Sequence, residues 1–282
     1  MPEPGALRKL SDGFPDLERL AFEQYNAGQG AVDLSAKLDR LLHLIERLIP
    51  LGPGSSACVL GCGPVPQTMR TLLDRGLAAT GVEPVVSFVE RANEYLGQES
   101  VVVGAAESIP LDDESQDLVL FENVIEHVDS PLESLTEIRR VLKPGGVAYV
   151  STNNRHRFSP VGYNPEFRRR FYNWYPALVK EGYVLNHIHY DPRLANFSQR
   201  PAVHWYTFAE LCSIGRLAGF AQFYAPVDLL TPSDLEEGAR RNSLKRLLFG
   251  RRLLGLLQRN AWLRAILLSQ LPLEILMFRR KR

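Results

Sequence analysis

Three cysteines, Cys58, Cys62 and Cys212, are all that the 282 residues contain. They are too few and too scattered for a disulfide framework, and reduced thiols in a cytosolic protein are the expectation. No run reaches eighteen uninterrupted apolar residues, about the least that reads as a membrane-spanning helix. The opening residues, Met1-Pro2-Glu3-Pro4-Gly5, lack the basic start and apolar stretch of a secretory signal, which again points to the cytoplasm. No internal repeat or low-complexity segment is evident. Metal-ligand patterns are equally sparse. The run His187-Ile188-His189-Tyr190-Asp191 is one spaced pair without a partner motif, so no metal is expected.

What is present is an ordinary globular composition with an unusual distribution of charge. An apolar fraction of 45% supports a sizeable core, and 23% charged residues suits a soluble protein. The net charge of +1 hides two opposed regions. Residues 239–282 hold twelve Lys or Arg against one acid, Glu274, a net +11. The first 238 residues, with 21 Lys or Arg against 31 Asp or Glu, carry −10. Arg168-Arg169-Arg170 and the tail supply positive charge, but the acidic body opposes a continuous basic footprint and no nucleic-acid partner is expected. A leucine-rich basic segment, residues 239–268, fits contact with an anionic membrane surface, peripheral rather than spanning. A solvated basic helix or a protein-contact surface is the alternative.

The chain changes period along its length. Residues 31–49 read as a helix, with Leu34, Leu38, Leu41, Leu42, Ile45 and Leu48 at helical spacing and Pro50 and Gly52-Pro53-Gly54 ending it. Residues 1–50 are thus expected to be an N-terminal helical cap, with the main domain over 51–282. Strands are then predicted at Ala57–Leu60, Ala78–Val82, Ser100–Val103, Asp117–Phe121 and Val147–Ser151. Helices are predicted at Pro66–Arg75, Val85–Tyr95 and Pro131–Leu142. Such alternation implies an α/β, doubly wound, mostly parallel sheet with its ligand beyond the carboxyl ends of the strands. Residues 153–206, rich in aromatics, Arg, His and Asn, break the rhythm and read as a substrate lid. Thr207–Ala218 reads as a helix capped by Thr207, Gln222–Val227 as a strand, 234–268 as helical, and 273–280 as the last strand.

Five short motifs punctuate this pattern: Cys58-Val59-Leu60-Gly61-Cys62-Gly63, Gly81-Val82-Glu83-Pro84, Gly104-Ala105-Ala106-Glu107, Phe121-Glu122-Asn123-Val124-Ile125-Glu126-His127-Val128, and Arg140-Val141-Leu142-Lys143-Pro144-Gly145-Gly146. A glycine turn after the first strand lets the backbone approach a ligand. A carboxylate about twenty residues on, Glu83, suits a pair of ribose hydroxyls, although an acid at a strand end is also an ordinary turn residue. In order and spacing the set resembles the class I S-adenosylmethionine-dependent methyltransferases, of the small-molecule, methyltransferase type 11 or ubiquinone-biosynthesis-like branch.

That resemblance implies a Rossmann-like sheet of seven strands ending in an antiparallel hairpin, with 234–268 a basic helical insertion between the last two strands. It implies S-adenosyl-L-methionine as cofactor, held by Gly61, Cys62 and Gly63 on the methionine part and by Glu83 and Pro84 at the ribose. Ala105, Ala106 and Glu107 lie toward the adenine, and Glu122 and Asn123 lie beside the methyl-transfer position. Three positions depart from the pattern: Val59 stands where an acid is usual, Val65 where a third glycine is usual, and Ala105 where an Asp is usual. Methyl transfer from a sulfonium works largely by positioning, with a base where a hydroxyl acceptor must lose its proton. Candidate bases are His127, His156, His189 and His204, with His187 and Asp191 beside them. His127 also reads as structural. The lid aromatics, among them Tyr163, Phe167, Phe171, Tyr172, Trp174, Tyr175, Trp205 and Tyr206, suit a flat or apolar small-molecule acceptor, and equally suit packing of the lid onto the sheet. The expected function is methyl transfer to a small molecule, at oxygen, with an apolar or lipid-linked acceptor. Its rival is a catalytically degenerate scaffold, motivated by Val59, Val65 and Ala105. A nicotinamide fingerprint also shares Gly61, Gly63 and Glu83, but Pro66 occupies its third glycine and the later motifs do not fit.

Overall fold

The computed structural model describes residues 34–157, 163–164, 169–183, 204–231, 233–234, 255–256 and 258–280. In chain order the main elements are α1 (Leu34–Ile45), β1 (Ser56–Leu60), α2 (Gln67–Asp74), β2 (Ala78–Glu83), α3 (Val86–Leu96), β3 (Val101–Val103), β4 (Gln116–Glu122), α4 (Pro131–Val141) and β5 (Leu142–Thr152). A two-stranded ribbon follows, β6 (Tyr163–Asn164) and β7 (Arg169–Arg170), then α5 (Ala177–Tyr183). The chain closes with α6 (Phe208–Leu217), β8 (Gln222–Tyr224), α7 (Pro226–Leu229), α8 (Ala261–Gln270) and β9 (Leu273–Phe278).

Seven strands form one sheet in the order β3-β2-β1-β4-β5-β9-β8. The first five run parallel, while β9 is antiparallel to both β5 and β8. The doubly wound sheet with its closing antiparallel hairpin is therefore the architecture expected from the sequence. Strand order reverses between β1 and β4, the crevice where such sheets bind ligands.

Alternation along each strand divides the core into two layers. Cys58, Leu60, Val119, Phe121, Ala148 and Val150 face Leu135 and Ile138 of α4 and Leu211 of α6. Their neighbours Val59, Leu118, Leu120, Val147 and Tyr149 share the opposite layer with Leu38, Leu41 and Leu42 of α1, Met69 and Leu72 of α2, and Val89 and Ala92 of α3. A parallel strand covered on both faces needs apolar residues at every position, which explains the unbroken Ala57–Leu60 and Leu118–Phe121 runs.

Helix ends follow local chemistry. Ser130 caps α4 by accepting from Glu133 N–H, with Pro131 in the first turn. Thr207 and Glu210 form a reciprocal capping box on α6. Three of the boundaries that differ from the sequence reading have a local cause. The strand expected from Val147 begins at Leu142, so Lys143-Pro144-Gly145-Gly146 lies inside β5 as a bulge, where register jumps between Gln116 and Leu118. Gly145 takes φ +89° there, and the ladder continues because Gly145 N–H donates to Arg279 O and Arg279 N–H to Gly146 O. The strand expected over Gln222–Val227 stops at Tyr224, because Pro226 has no N–H and opens α7, while Asp228 accepts from Ala225 N–H. The helical run expected over 234–268 is interrupted at Asn260, whose side chain accepts from Trp262 and Leu263 N–H and starts α8 afresh.

Candidate active site

Four strand ends converge at the reversal. Leu60 of β1 leads into the glycine loop, where Gly61 and Gly63 take φ of +64° and +68°. Both are left-handed conformations that a side chain disfavours. Gly61 N–H donates to Val82 O, and a Cβ on Gly61 would lie 2.5 Å from Val124 Cγ2, so the loop is pressed between β2 and the chain leaving β4. Val65 is not among the positive-φ residues, so the third loop position accommodates valine without backbone strain. Cys62 is buried, and its sulfur lies against Gly81, leaving only its backbone for a ligand.

Glu83, at the end of β2, ties the loop down. It is only 5% exposed. One carboxylate oxygen accepts from Gly63 N–H at 3.0 Å and the other from Val85 N–H at 3.3 Å. Burial pushes the carboxyl above its ordinary value, and these two donors pull it partway back. Each oxygen carries two lone pairs, so acceptor capacity remains for two further hydroxyls. Pro84 next to it is exposed.

The Val59 position has a structural explanation. Val59 belongs to the apolar layer that includes Leu38, Leu41 and Leu42, where a carboxylate would be buried without water. On the other side of the loop, Glu122 ends β4 and Asn123 follows with φ +52°, an uncommon conformation for a residue with a side chain. Asn123 N–H donates to Ser151 O, and its side chain is exposed. Lys37 of α1 reaches across to Glu122, Nζ to Oε1 3.4 Å. Sequence reasoning missed Lys37, which read as one polar position on an amphipathic helix. The row continues over the sheet, since Glu122 pairs with Ser151 and Ser151 with Glu274 in register.

The remaining candidates separate. Ala105 bridges to Ser108, and Ala106 is buried in the core. Glu107 accepts from Asp129 N–H at 2.8 Å and from Ser130 N–H at 3.4 Å, an arrangement that fixes the approach to α4. His127 sits on the turn after β4, its N–H donating to Val124 O. His204 stacks on Tyr206, ring centroids 6.2 Å apart, with its N–H donating to Glu126 O. Thr152 Oγ1 donates to the buried Glu126 carboxylate at 2.8 Å. His156 is exposed, with its carbonyl accepting from Gln270. His189, with His187 and Asp191, lies outside the described residues. Among the described residues no group of three or more His, Cys, Asp or Glu is arranged to hold a metal.

Part of the segment 153–206, expected as a lid, is described. Tyr172 is fully buried, with Tyr175, Tyr183 and Trp205 rings at 5.7, 5.9 and 5.8 Å. Lys180 is buried with its ammonium 4.9 Å from the Trp205 ring centroid. Burial, then the nearby Arg155 charge, pushes it down to about 8. Phe171 and Trp174 instead remain exposed. Burial pushes Cys58 up to about 12 and Cys212 to about 11, so both thiols are inert.

Comparison with known proteins adds the family. Residues 59–150 match the family described as "Methyltransferase domain". This stretch is therefore similar to methyltransferase domains. An uncharacterised methyltransferase of Mycobacterium bovis is 38% identical over 96 residues, covering 34% of this chain and 39% of that protein. The malonyl-[acyl-carrier protein] O-methyltransferase of Serratia marcescens is 28% identical over 131 residues, 45% of this chain and 50% of that one. The chain thus spans half or less of the length of these curated relatives. The plantazolicin methyltransferase BamL, solved with a triazolic desmethylPZN analog and SAH, shares the fold with TM-score 0.57 and 15% identity. That likeness covers 98% of this chain and 94% of the other. The matched stretch begins within β1 and ends within β5, so residues 153–206 and the basic tail lie outside it.

Proposed function

We propose that the chain transfers a methyl group from S-adenosyl-L-methionine to a small-molecule acceptor, at oxygen. The observation that carries the reading is Glu83: a buried carboxylate that locks the glycine loop through Gly63 and keeps acceptor capacity beyond its two N–H donors. That capacity suits the two ribose hydroxyls. The left-handed Gly61 and Gly63 keep the loop backbone close to the methionine part, and Ala105 and Ala106 approach the adenine. Because Val59 leaves no acid in the loop, Glu122 takes the ammonium of the amino-acid end and Lys37 its carboxylate, the zwitterion replacing their mutual contact. When bound, the cofactor supplies a methyl on a sulfonium, already activated by its charge. The protein's task is then alignment and removal of the acceptor proton. Asn123, exposed on a left-handed turn at the strand end, orients the acceptor, and His127, His156, His189 and His204 remain the proton acceptors to be tested. An apolar or lipid-linked acceptor accounts for the lid aromatics and the basic tail together.

Calorimetric titration with S-adenosylmethionine tests this. Dissociation constants below about 100 μM are expected, and Glu83→Ala weakens binding at least tenfold by removing charge-assisted acceptors. No binding to the native chain would instead identify a methyltransferase-like scaffold, the reading that Val59 and Ala105 favour. Unchanged affinity in the variant would refute the placement of the ribose.

A further inference from the structure

The last helix presents a face that the methyltransferase reading leaves unused. On α8, Arg264 turns inward, its Nε 2.7 Å from Asp228 Oδ1 and its guanidinium 5.0 Å from the Phe208 ring centroid. Leu268, also inward, packs with Ala225 and Val227. This anchors the helix and fixes which side looks out. Trp262 and Ile266, one turn apart and therefore on a common face, are 71% and 45% exposed. Leu256 before the helix and Leu271 after it are 49% and 40% exposed. Single exposed apolar side chains are ordinary, but a tryptophan-led row along one helix face marks a contact surface.

Charge identifies the occupant. The segment from residue 239 to 282 that contains this helix is +11 by sequence, while the rest of the chain is −10. Within it, Arg259 is exposed just before α8. A protein partner or a second copy of this acidic-bodied chain would match the charge only in part. A bilayer with anionic headgroups matches both features at once, because indole and aliphatic side chains enter the interface while Lys and Arg hold the headgroups. Each Lys or Arg near such a surface multiplies partitioning by about five.

The fold also places this face close to the lid. Asn154, just past β5, donates from Nδ2 to Leu268 O at 2.6 Å and to Leu271 O at 3.2 Å. Arg155 N–H donates to Tyr206 O, and the neighbouring Trp205 packs on Tyr172 and Lys180 of the lid. The C-terminal end of α8 and the lid are thus fastened to the same short stretch at the carboxyl end of β5. The lid shows its own exposed apolar residues there: Phe171, Trp174, Leu178 and Val179 follow the exposed Arg169 and Arg170.

We propose that the Trp262–Ile266 face of α8 is a docking surface for an anionic membrane, holding the chain at the bilayer with its lid end beside the headgroups. The assignment does not depend on methyl transfer. The test is flotation of the full chain with vesicles of phosphatidylcholine alone or mixed with phosphatidylglycerol. Binding to the mixed vesicles is expected, at least tenfold weaker to the neutral ones and weakened by salt. Trp262→Glu with Ile266→Glu should reduce binding at least tenfold, with melting temperature and S-adenosylmethionine affinity unchanged. Trp262→Phe, which disturbs folding least, should reduce the blue shift of tryptophan emission on vesicle addition, with Trp174→Phe in both chains removing the contribution of the lid. Equal binding to neutral and anionic vesicles, or undiminished binding by the doubly substituted chain, overturns the proposal. So does a vesicle-indifferent chain whose dimer, seen by light scattering, the double substitution dissociates. That outcome assigns the face to a second copy.

Discussion

The two ends of the sheet are built on opposite principles. At the amino ends of the strands, charges are paired densely. Asp117 meets Lys143 Nζ, Ser56 N–H and Ser56 Oγ, each at 2.8 Å. Burial alone would raise its carboxyl, but those donors outweigh burial and hold it below its ordinary value. Arg140 grips Glu137 through two bonds of 2.8 Å, Asp113 at 2.6 Å, and the carbonyls of Ile109 and Leu111. Arg279 bonds Glu114 and the carbonyls of Arg139, Arg140 and Leu142. At the carboxyl ends, by contrast, Glu83 is buried with no cation paired to it among the described residues, Asn123 takes a left-handed turn, and Lys37 meets Glu122 at only 3.4 Å. One end spends its charges on the fold. The other keeps acceptor capacity and backbone strain where a ligand would use them.

Substitutions should separate the two ends cleanly. Arg140→Ala is expected to have the largest effect on stability, about 2–3 kcal/mol, below the bare bond count because part of the side chain is in solvent. Chemical denaturation measures it, and S-adenosylmethionine affinity should stay within twofold of native. A tenfold affinity loss in that variant would mean that the two ends are coupled. Next is Gly61→Ala. The left-handed backbone costs about 1–2 kcal/mol for any side chain, and the new methyl must displace Val124. Here cofactor affinity should fall together with the melting temperature, because strain and binding share one loop.

The same contrast governs what the sequence reveals. The amino-end architecture and the sheet are legible because strand alternation, the capping box at Thr207 and the Pro-Gly-Gly segment are local signals. Even there, the Pro-Gly-Gly segment is a bulge held by Arg279 some 130 residues away, a partner that no local pattern announces. Gly61, Gly63 and Glu83 are also visible, since spacing alone places them at consecutive strand ends. Glu107 shows the limit: it fits a motif, yet its carboxylate is engaged by Asp129 and Ser130 N–H. Lys37 shows the converse, a residue outside every motif that only packing of α1 brings to the site. Val59 and Val65 read as erosion in one dimension, whereas in three they follow from an apolar layer and an ordinary φ.

Glu83 sharpens the comparison through pH. Its folded carboxyl lies above the ordinary value because burial disfavours the charge, so the folded state binds its proton more readily than the unfolded chain does. Its contribution to stability is therefore greatest at low pH and is lost as pH rises through the folded value, the reverse of Asp117. Ribose hydroxyls need the ionised acceptor, so cofactor affinity should fall as pH drops through that raised value, at a higher pH than an exposed carboxylate would give. Glu83→Gln removes the titration and sets one amide donor against Gly63 or Val85 N–H. An affinity loss of about fivefold, roughly 1 kcal/mol and independent of pH across the acidic range, is expected by calorimetry. A pH dependence that persists in this variant would assign it to another group.

The smallest effect on stability is expected at Lys37. Its pair with Glu122 is long, and the Lys side chain is 42% exposed, so Lys37→Ala should change unfolding free energy by less than about 0.5 kcal/mol. Its effect on binding should be larger than its effect on folding. If Lys37 faces the carboxylate of the cofactor's amino-acid end, its loss should weaken S-adenosylmethionine by several-fold while leaving adenosine, which lacks that end, unaffected. The discriminating measurement is the ratio of the two affinities in native and substituted chains. An unchanged ratio would make Lys37 a surface tie between α1 and β4. A fall confined to the zwitterionic ligand would make α1 part of the site, extending the carboxyl end of the sheet to a helix outside the matched methyltransferase domain.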